Sequence, residues 1–534
     1  MIFRCWRTIR YLKWRQIYYR FRYAFPHFLN SPSISFSFFT EKLVSRFPFP
    51  LLSPPSFDGK QCFTFINQTH ALEGNNWNDV SREKLWLYHL HYQQYLLQED
   101  CDAAYWVRKW IQDNPPYQGN GWEPYPISLR LFSWIKVAIQ KKIVLDEDVL
   151  STFSRMVSRL YSRIEFHLDG NHLLENLLAL YLASYFFEHT DFRNRRIRER
   201  IESLLKKALD EQFLEDGGHY ERTPMYQAIL MERIADLLNI VDRNYCPELQ
   251  DKLVIILRRG MRWLNTMAPF GRIALFNDSA YNGTPDLNGL NPYVARILNE
   301  SVDSLVQPLD SMIPSGYIRV GCGDWTIIQD VGPVGPDHQP GHSHCDMLSF
   351  CAWLNGQEII VDSGNCTYRK GEMRQYCRST RAHNTVTLND MEQAEIWASH
   401  RVGRRGYPVV PQIECSSQRI SMKSGHMAYH FLPGKPTVVR NIILDNNRLM
   451  VEDRVESNHE IVCASYLHFS PNVSIQKIGK DIIVIADSRR IRISSSVEGI
   501  LEKGYYCPDF GKIIENTVVR FVFKNKLEYV LTPI

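Results

Sequence analysis

Three potential metal ligands, His344, Asp362 and His383, recur within about forty residues, and a third imidazole, His342, stands two positions before the first. Two imidazoles and a carboxylate suit zinc and leave an open coordination position. On a strand His342 and His344 face the same way, whereas a loop lets them diverge, which frees His342 for chemistry. A bare His-x-His is common. Asp362 at the end of the apolar run Glu358-Ile359-Ile360-Val361, and His383 just before Asn384, make this set more specific.

Three further constellations lie earlier in the chain. Gly170-Asn171-His172-Leu173-Leu174-Glu175-Asn176 opens a helix in which His172 and Glu175, three apart, share a face, so that the carboxylate can orient or charge the imidazole. A helix-capping His–Glu pair without any chemistry would look the same. Glu215-Asp216-Gly217-Gly218-His219-Tyr220-Glu221-Arg222 delivers four polar side chains just before Thr223-Pro224 starts another helix. Gly121-Trp122-Glu123-Pro124 to Arg130 places aromatics and an arginine at a third loop-to-helix junction. There Trp122 can stack on a sugar and Arg130 can pair with a carboxylate, or the block is an aromatic plug.

The elements that must carry these residues divide the chain. Helical periodicity predicts helices over Arg82–Leu97, Ala103–Asp113, Ile127–Lys141, His172–Phe187, Arg195–Gln212, Met225–Val241 and Glu248–Met267. Beyond Ser315 the pattern changes to short strands, including Tyr317–Val320, Trp325–Ile328, Leu348–Leu354, Thr385–Leu388, Asn441–Leu444, Ile482–Ile485 and Val518–Phe523. This predicts an α+β multidomain chain, helical hairpins first and an antiparallel β-sandwich second, with a ligand cleft between them. The expected divisions are a basic aromatic arm and connector over 1–60, a helical domain over 61–310 and a sandwich over 311–534.

A length of 534 residues with 44% hydrophobic and 22% charged residues fits a chain of at least two cores. The net charge of +4 gives no reason to expect nucleic acid. The twelve cysteines contain no Cys-x-x-Cys pair and read as buried thiols. Met1 to Arg22 holds seven Lys/Arg, no acid and many aromatics, so basic residues interrupt any signal-like apolar run. That arm either packs on the protein or makes a peripheral contact with an anionic membrane. A cytoplasmic or membrane-peripheral bacterial protein is therefore expected rather than a periplasmic one.

Taken together, the blocks resemble the heparinase II/III family of polysaccharide lyases, in particular its members encoded beside bacterial exopolysaccharide genes. The resemblance runs over nearly the whole chain through Leu85 to Tyr92, Gly121 to Arg130, Asn171 to Glu175, Gly217 to Arg222, Gln339-Pro340-Gly341-His342-Ser343-His344-Cys345-Asp346, Asp362-Ser363-Gly364 and Arg378 to Val386. It implies an (α/α) toroid followed by the sandwich, and an acidic, uronate-containing polysaccharide as substrate. It also implies roles: Asn171 and His172 against the uronate carboxylate, Tyr220 as acid or base, His342 as its partner and Tyr368 as a second tyrosine. His344, Asp362 and His383 would bind a structural Zn²⁺ that braces the site. Trp122, Arg130, Glu175, Arg222 and Arg378 are the expected substrate contacts. His89 stands where the family has Asn, and Gln227 where it has His, which touches substrate preference more than mechanism.

β-Elimination makes chemical demands that these residues can meet. The proton next to a uronate carboxylate becomes acidic only once that carboxylate is neutralised. An acid–base pair must then take the proton and protonate the departing glycosidic oxygen. A tyrosine serves as base only if nearby positive charge lowers its pKa from about 10, and Arg222 and the histidines are the candidates. The alternatives are a non-catalytic glycan-binding or exopolysaccharide-biosynthesis protein on the same scaffold, and a zinc hydrolase, whose products carry no double bond.

Overall fold

The computed structural model describes residues 2–25, 40–74, 76–186, 192–302, 309–416, 418–445, 447–487 and 489–534. The expected arm and connector over 1–60 lie partly outside them.

The described helices are α1 (Ile2–Ile9), α2 (Trp14–Ala24), α3 (Lys84–Tyr92), α4 (Ala103–Asp113), α5 (Pro124–Ile139), α6 (Glu147–Ser162), α7 (Gly170–Tyr185), α8 (Phe192–Gln212), α9 (Pro224–Ile240), α10 (Pro247–Thr266), α11 (Leu287–Leu298) and α12 (Glu372–Arg378). Their burial sorts them into two rows. The helices α5, α7 and α9 are buried nearly all round and pack on one another in sequence, with α3 and α11 extending the row at either end. The helices α6 and α10 are one-sided. In α6, Val149, Phe153, Met156, Val157 and Leu160 turn inward at spacings of three and four, after Asp146 caps the Val149 N–H at 3.1 Å. Sequence periodicity did not single out α6 or α11, and it missed a small hairpin of Cys62–Phe65 with Gln68–Ala71.

The second half is antiparallel throughout its paired strands and forms three main sheets. Five strands, Leu309–Met312, Tyr317–Cys322, Trp325–Asp330, Phe350–Leu354 and Gln357–Ile360, lie in chain order. An eight-stranded sheet and a four-stranded sheet stack with it around one core, to which Ile327, Phe350, Val386, Val451, Phe521 and Leu531 all contribute. Strand Thr437–Asp445 alternates inward and outward residues along its whole length, as a one-face-buried strand must.

The five-stranded sheet holds the two halves together. One of its faces joins the sandwich core, while Tyr317, Ile328, Cys351 and Trp353 on the other join the core of the helices. Burial on both faces explains its near-continuous apolar strands. Two loops leave the ends of this sheet: 331–349, which carries His342, His344 and Asp346, and the segment after Ile360, which carries Asp362 and Tyr368. Both are therefore anchored against the helical domain.

The amino-terminal arm packs back across both halves. Arg7 makes two hydrogen bonds of 2.8 Å to Glu395, Trp397 Nε1 donates to Thr8, and Lys13 and Arg15 reach Asp169 at 3.1 and 3.2 Å. Its outward face leaves Phe3, Trp6, Trp14, Tyr18 and Phe21 exposed.

Candidate active site

The helix α7 begins on two residues with positive φ, Asp169 at 66° and Gly170 at 59°. A side chain at position 170 would collide with the Glu221 carboxylate, so glycine is required there. This tight entry aims three groups. The Asn171 amide donates to Glu221 Oε2 at 2.8 Å and lies 3.3 Å from His342 Nε2. His172 Nδ1 donates to Glu165 at 3.1 Å, and the ring stacks 4.3 Å from Tyr125. Burial works against a charge on His172, yet the Glu165 carboxylate prevails and raises its pKa above the ordinary histidine value. The partner is Glu165 and not Glu175, as the spacing of three had suggested.

Opposite α7, His342 is fixed by Asp278. His342 Nδ1 donates to Asp278 Oδ2 at 2.9 Å, His344 Nε2 donates to Asp278 Oδ1 at 2.9 Å, and Arg374 donates to both oxygens of the same carboxylate. Burial would raise the Asp278 pKa, but the Arg374 guanidinium and the two imidazoles hold it well below the usual carboxylate range. An ionised Asp278 fixes both tautomers: His342 keeps Nε2 free toward Asn171 and the cleft, and His344 keeps Nδ1 free.

Beside His342 stand two tyrosines. Tyr226, in the first turn of α9, stacks 4.2 Å from the His342 ring, and its hydroxyl lies 2.8 Å from that of Tyr368. Burial pushes both phenols well above the ordinary tyrosine value. Tyr88, Tyr92, Tyr125, His172, Tyr226, His342, Tyr368 and His400 line a cleft of about 430 Å³ between the domains, with Arg82, Lys84 and Arg369 at its mouth. A second lobe of about 220 Å³ continues past Tyr92, Tyr226 and Tyr368 to His89. Stacked phenols with cations at the rim suit a chain of acidic sugars.

Behind His344 lies a buried group of acids and imidazoles. His383 Nδ1 donates to Asp362 at 2.8 Å, and the His344 and His383 rings stand 5.2 Å apart. His344 Nδ1, His383 Nε2 and Asp346 Oδ2 are buried without any hydrogen-bond partner. Burial and the charges of its carboxylate neighbours push Asp346 up to about 6, while Asp362 and Asp346 overcome burial to raise His383 to about 9. Two free ring nitrogens and an orphaned carboxylate oxygen are donor types that suit a divalent cation, although their ligand atoms do not all lie within 4.8 Å of one another. Asp362 reaches that position through His383, and Asp346 is the carboxylate whose own atom is vacant, a residue the sequence reading did not assign.

Several expected site residues sit elsewhere. Trp122 is buried, donating to Asn114 O, and Arg130 lies 3.8 Å over the Trp110 ring while donating to the His91 and Gly121 carbonyls. Burial drops Arg130 to about 9, so no surface of it is left for a substrate. Glu175 faces Arg233 at 3.6 Å under the tyrosine floor, where burial lifts it to about 7. Arg222 turns away toward Gly316, Gly332 and Asp330. Arg378 is wholly buried and donates to the carbonyls of Ser343, Ala398 and Arg401, which fastens the His342 loop from behind.

Tyr220 is also off the cleft. Its hydroxyl accepts the Gly170 N–H at 2.9 Å, lies 3.5 Å from Asp169 and is buried under the arm. Burial, Asp169 and Glu221 together raise its pKa well above the ordinary value, the opposite of what a resting phenolate base requires. The reading also missed Asp278. Gln227, noted as a departure, pins the Gly217 turn by donating to the Gly217 and Gly260 carbonyls.

Comparison with known proteins adds the following. Residues 87–291 match the family model for the heparinase II/III N-terminus, and residues 306–528 match that for the heparinase II/III-like C-terminal domain. A heparin-sulfate lyase of Bacteroides stercoris is 26% identical over 253 residues, a match spanning 42% of this chain and only 37% of that protein. A solved heparinase III superposes with a TM-score of 0.69 at 14% identity, covering 95% of this chain and 87% of that one. A mutant heparan sulfate lyase from Pedobacter heparinus gives a TM-score of 0.62 at 16% identity over 97% and 87%. At these identities the solved structures speak to the fold.

Proposed function

The chain belongs to the heparinase II/III-like family, and from that premise we propose that it is a carbon–oxygen lyase that cleaves a uronate-containing acidic polysaccharide by β-elimination. The observation that carries this reading is the convergence of His342, Tyr226 and Tyr368 on one side of a cleft with His172, whose pKa Glu165 raises, facing it. Glycoside hydrolysis usually needs two carboxylates flanking the bond. Among the described residues lining the cleft and its second lobe, the acids are Glu83, which accepts a hydrogen bond from Thr367 at 2.8 Å, and Glu232, which is paired with Arg233 at 3.1 Å and Lys136 at 3.4 Å.

Protonated His172 meets the uronate carboxylate and drains its charge, which makes the neighbouring C5 proton removable. His342 Nε2 takes that proton, and Asp278 stabilises the imidazolium that forms. The C5–H electron pair becomes the C4=C5 double bond as the C4–O bond breaks. Tyr226, kept protonated by burial and hydrogen-bonded to Tyr368, gives its proton to the departing oxygen. Asn171 acts one layer back, as an amide spacer between Glu221 and His342. Zn²⁺ would be held by His344, His383 and Asp346, with Asp362 orienting His383 from behind, and would neutralise the buried acids and stiffen the His342 loop.

Incubation with a panel of defined uronate polymers tests the reading. The expected result is a rise in the ultraviolet absorbance of unsaturated uronate on at least one polymer, reduced roughly 10²- to 10⁴-fold in Tyr226→Phe with the fold retained. Glycan binding without any absorbance change would favour a non-catalytic role instead.

A further inference from the structure

Behind the cleft, three cysteines from distant parts of the chain meet. Cys366 lies in the segment after the five-stranded sheet, Cys377 in α12, and Cys507 just past strand Gly499–Tyr506. Their sulfurs all lie within 4.8 Å of one another, and those of Cys377 and Cys507 are 3.7 Å apart. All three are buried, and backbone bonds hold their chains together: Cys507 N–H donates to Ser363 O at 2.7 Å, and Gly511 N–H to Cys366 O at 2.8 Å.

We propose that Cys366, Cys377 and Cys507 form a second metal site, separate from the histidine–carboxylate group, that takes a thiophilic cation of the Zn²⁺ class. The spacing supports it. A tetrahedral zinc with Zn–S bonds of ~2.3 Å sets its sulfurs about 3.8 Å apart, close to the Cys377–Cys507 separation. Three convergent sulfurs also exceed what a disulfide needs, since any one pair leaves the third without a function. Soft thiolates select zinc over the oxygen-preferring Mg²⁺ and Ca²⁺. Three thiolates with a divalent ion carry one net negative charge, and the Arg374 guanidinium acts on Cys366 and Cys377 from beside the cluster.

Completion is also provided for. Met373 and Tyr376 pack against the trio, so a fourth ligand is either the Met373 thioether or water. Gly371, Glu372, Arg374, Gln375 and Tyr376, just ahead of Cys377, help wall a surface groove of about 920 Å³ on the α12 side of the trio. Occupancy would tie α12, and with it the Asp278-binding Arg374, to the strand ends near Cys507. The site would brace the catalytic loops from beside the histidine group, whose His344 and His383 interact electrostatically with Cys377.

Cobalt distinguishes this site from the histidine group, because only thiolate ligands give an intense near-ultraviolet ligand-to-Co²⁺ charge-transfer band. The full-length protein, stripped with a chelator under reducing conditions and titrated with Co²⁺, is expected to develop that band at one equivalent. The band should persist in His383→Ala and vanish in Cys377→Ser and Cys507→Ser. Bound Zn²⁺ should also shield these three cysteines, among the twelve, from alkylation as mapped on peptides, a readout that needs no variant. The proposal is overturned by absence of the band in the unaltered protein, by its persistence in both serine variants, or by a disulfide between any two of the three in the protein as purified.

Discussion

The two walls of the cleft are built on different plans. On the helical wall, Tyr88, Tyr92, Tyr125 and His172 are displayed from helices, and the charge of His172 depends chiefly on Glu165, its one hydrogen-bonded carboxylate, with weaker help from Glu221 and Glu175. On the opposite wall, His342 and His344 share one wholly buried carboxylate with Arg374, and Arg378 fastens their loop from behind. The hub of that network, Asp278, comes from the helical half, in the segment between α10 and α11. Each domain therefore completes the other's wall. Groups held by a single hydrogen bond can be exchanged to suit a substrate, whereas groups held by a closed network keep the geometry that proton transfer demands.

The comparison predicts its largest effect at the hub. Asp278→Asn removes the charge that sets the His342 tautomer and leaves Arg374 buried without its partner. The kcat should fall roughly 10³- to 10⁴-fold, in line with loss of a buried carboxylate behind a catalytic histidine. Unfolding should be easier by about 3–5 kcal/mol, the cost of breaking a buried ion pair. Zinc content measured on the purified variant should fall as well, because His344 loses the partner that frees its Nδ1. A kcat within tenfold of the unaltered enzyme, in a folded variant, would mean that the two walls do not differ in the way described.

An intermediate effect is expected on the helical wall, and it is read in pH. The His172 pKa is raised in the folded protein, so its cation is present below that raised value and is lost as pH climbs through it. Glu165→Gln removes the main stabilising charge and leaves burial opposed only by the weaker charges of Glu221 and Glu175, so the pKa falls. The alkaline limit of kcat/KM should then move to lower pH, and KM near neutrality should rise roughly tenfold, about 1.4 kcal/mol, with kcat changed less. An unchanged pH profile would remove His172 from carboxylate recognition.

Residue type and spacing made the domain order, most helices and strands, and His172, His342, His344 and His383 legible in the sequence. Periodicity carries elements, and clustered imidazoles advertise themselves. Asp278 carries no such signal: in Phe276-Asn277-Asp278-Ser279 it is an ordinary turn acid, and its role exists only once the five-stranded sheet brings the His342 loop beneath it. For Arg130 a signal was present. The helix α5 is apolar all round, so a lone arginine within it belongs to the core, where it stacks on Trp110. Tyr220 and Tyr226 occupy one block, and the turn between them decides which faces the cleft. Tyr220 precedes the helix and points to Gly170, while Tyr226 sits two residues past the Pro224 start of α9 and turns toward His342.

That choice of tyrosine gives the smallest predicted effect and the sharpest contrast. In Tyr220→Phe the Gly170 N–H loses one of its two acceptors, worth about 1 kcal/mol at most, and keeps Asp169 Oδ1 at 3.1 Å, while the ring keeps its place beside His338 at 5.4 Å. The entry of α7 loosens slightly, so kcat should stay within about tenfold of the unaltered enzyme while Tyr226→Phe falls by far more. The two phenylalanine variants, assayed side by side on the same polymer, separate positioning from proton transfer. If instead Tyr220→Phe is the one that abolishes turnover, the proton donor stands at the arm-covered end of α7. Substrate would then have to displace Lys13 and Arg15 from Asp169 to reach it. In that case deleting the positive charge at both positions should raise kcat/KM, whereas with the donor at Tyr226 it should leave kcat/KM nearly unchanged.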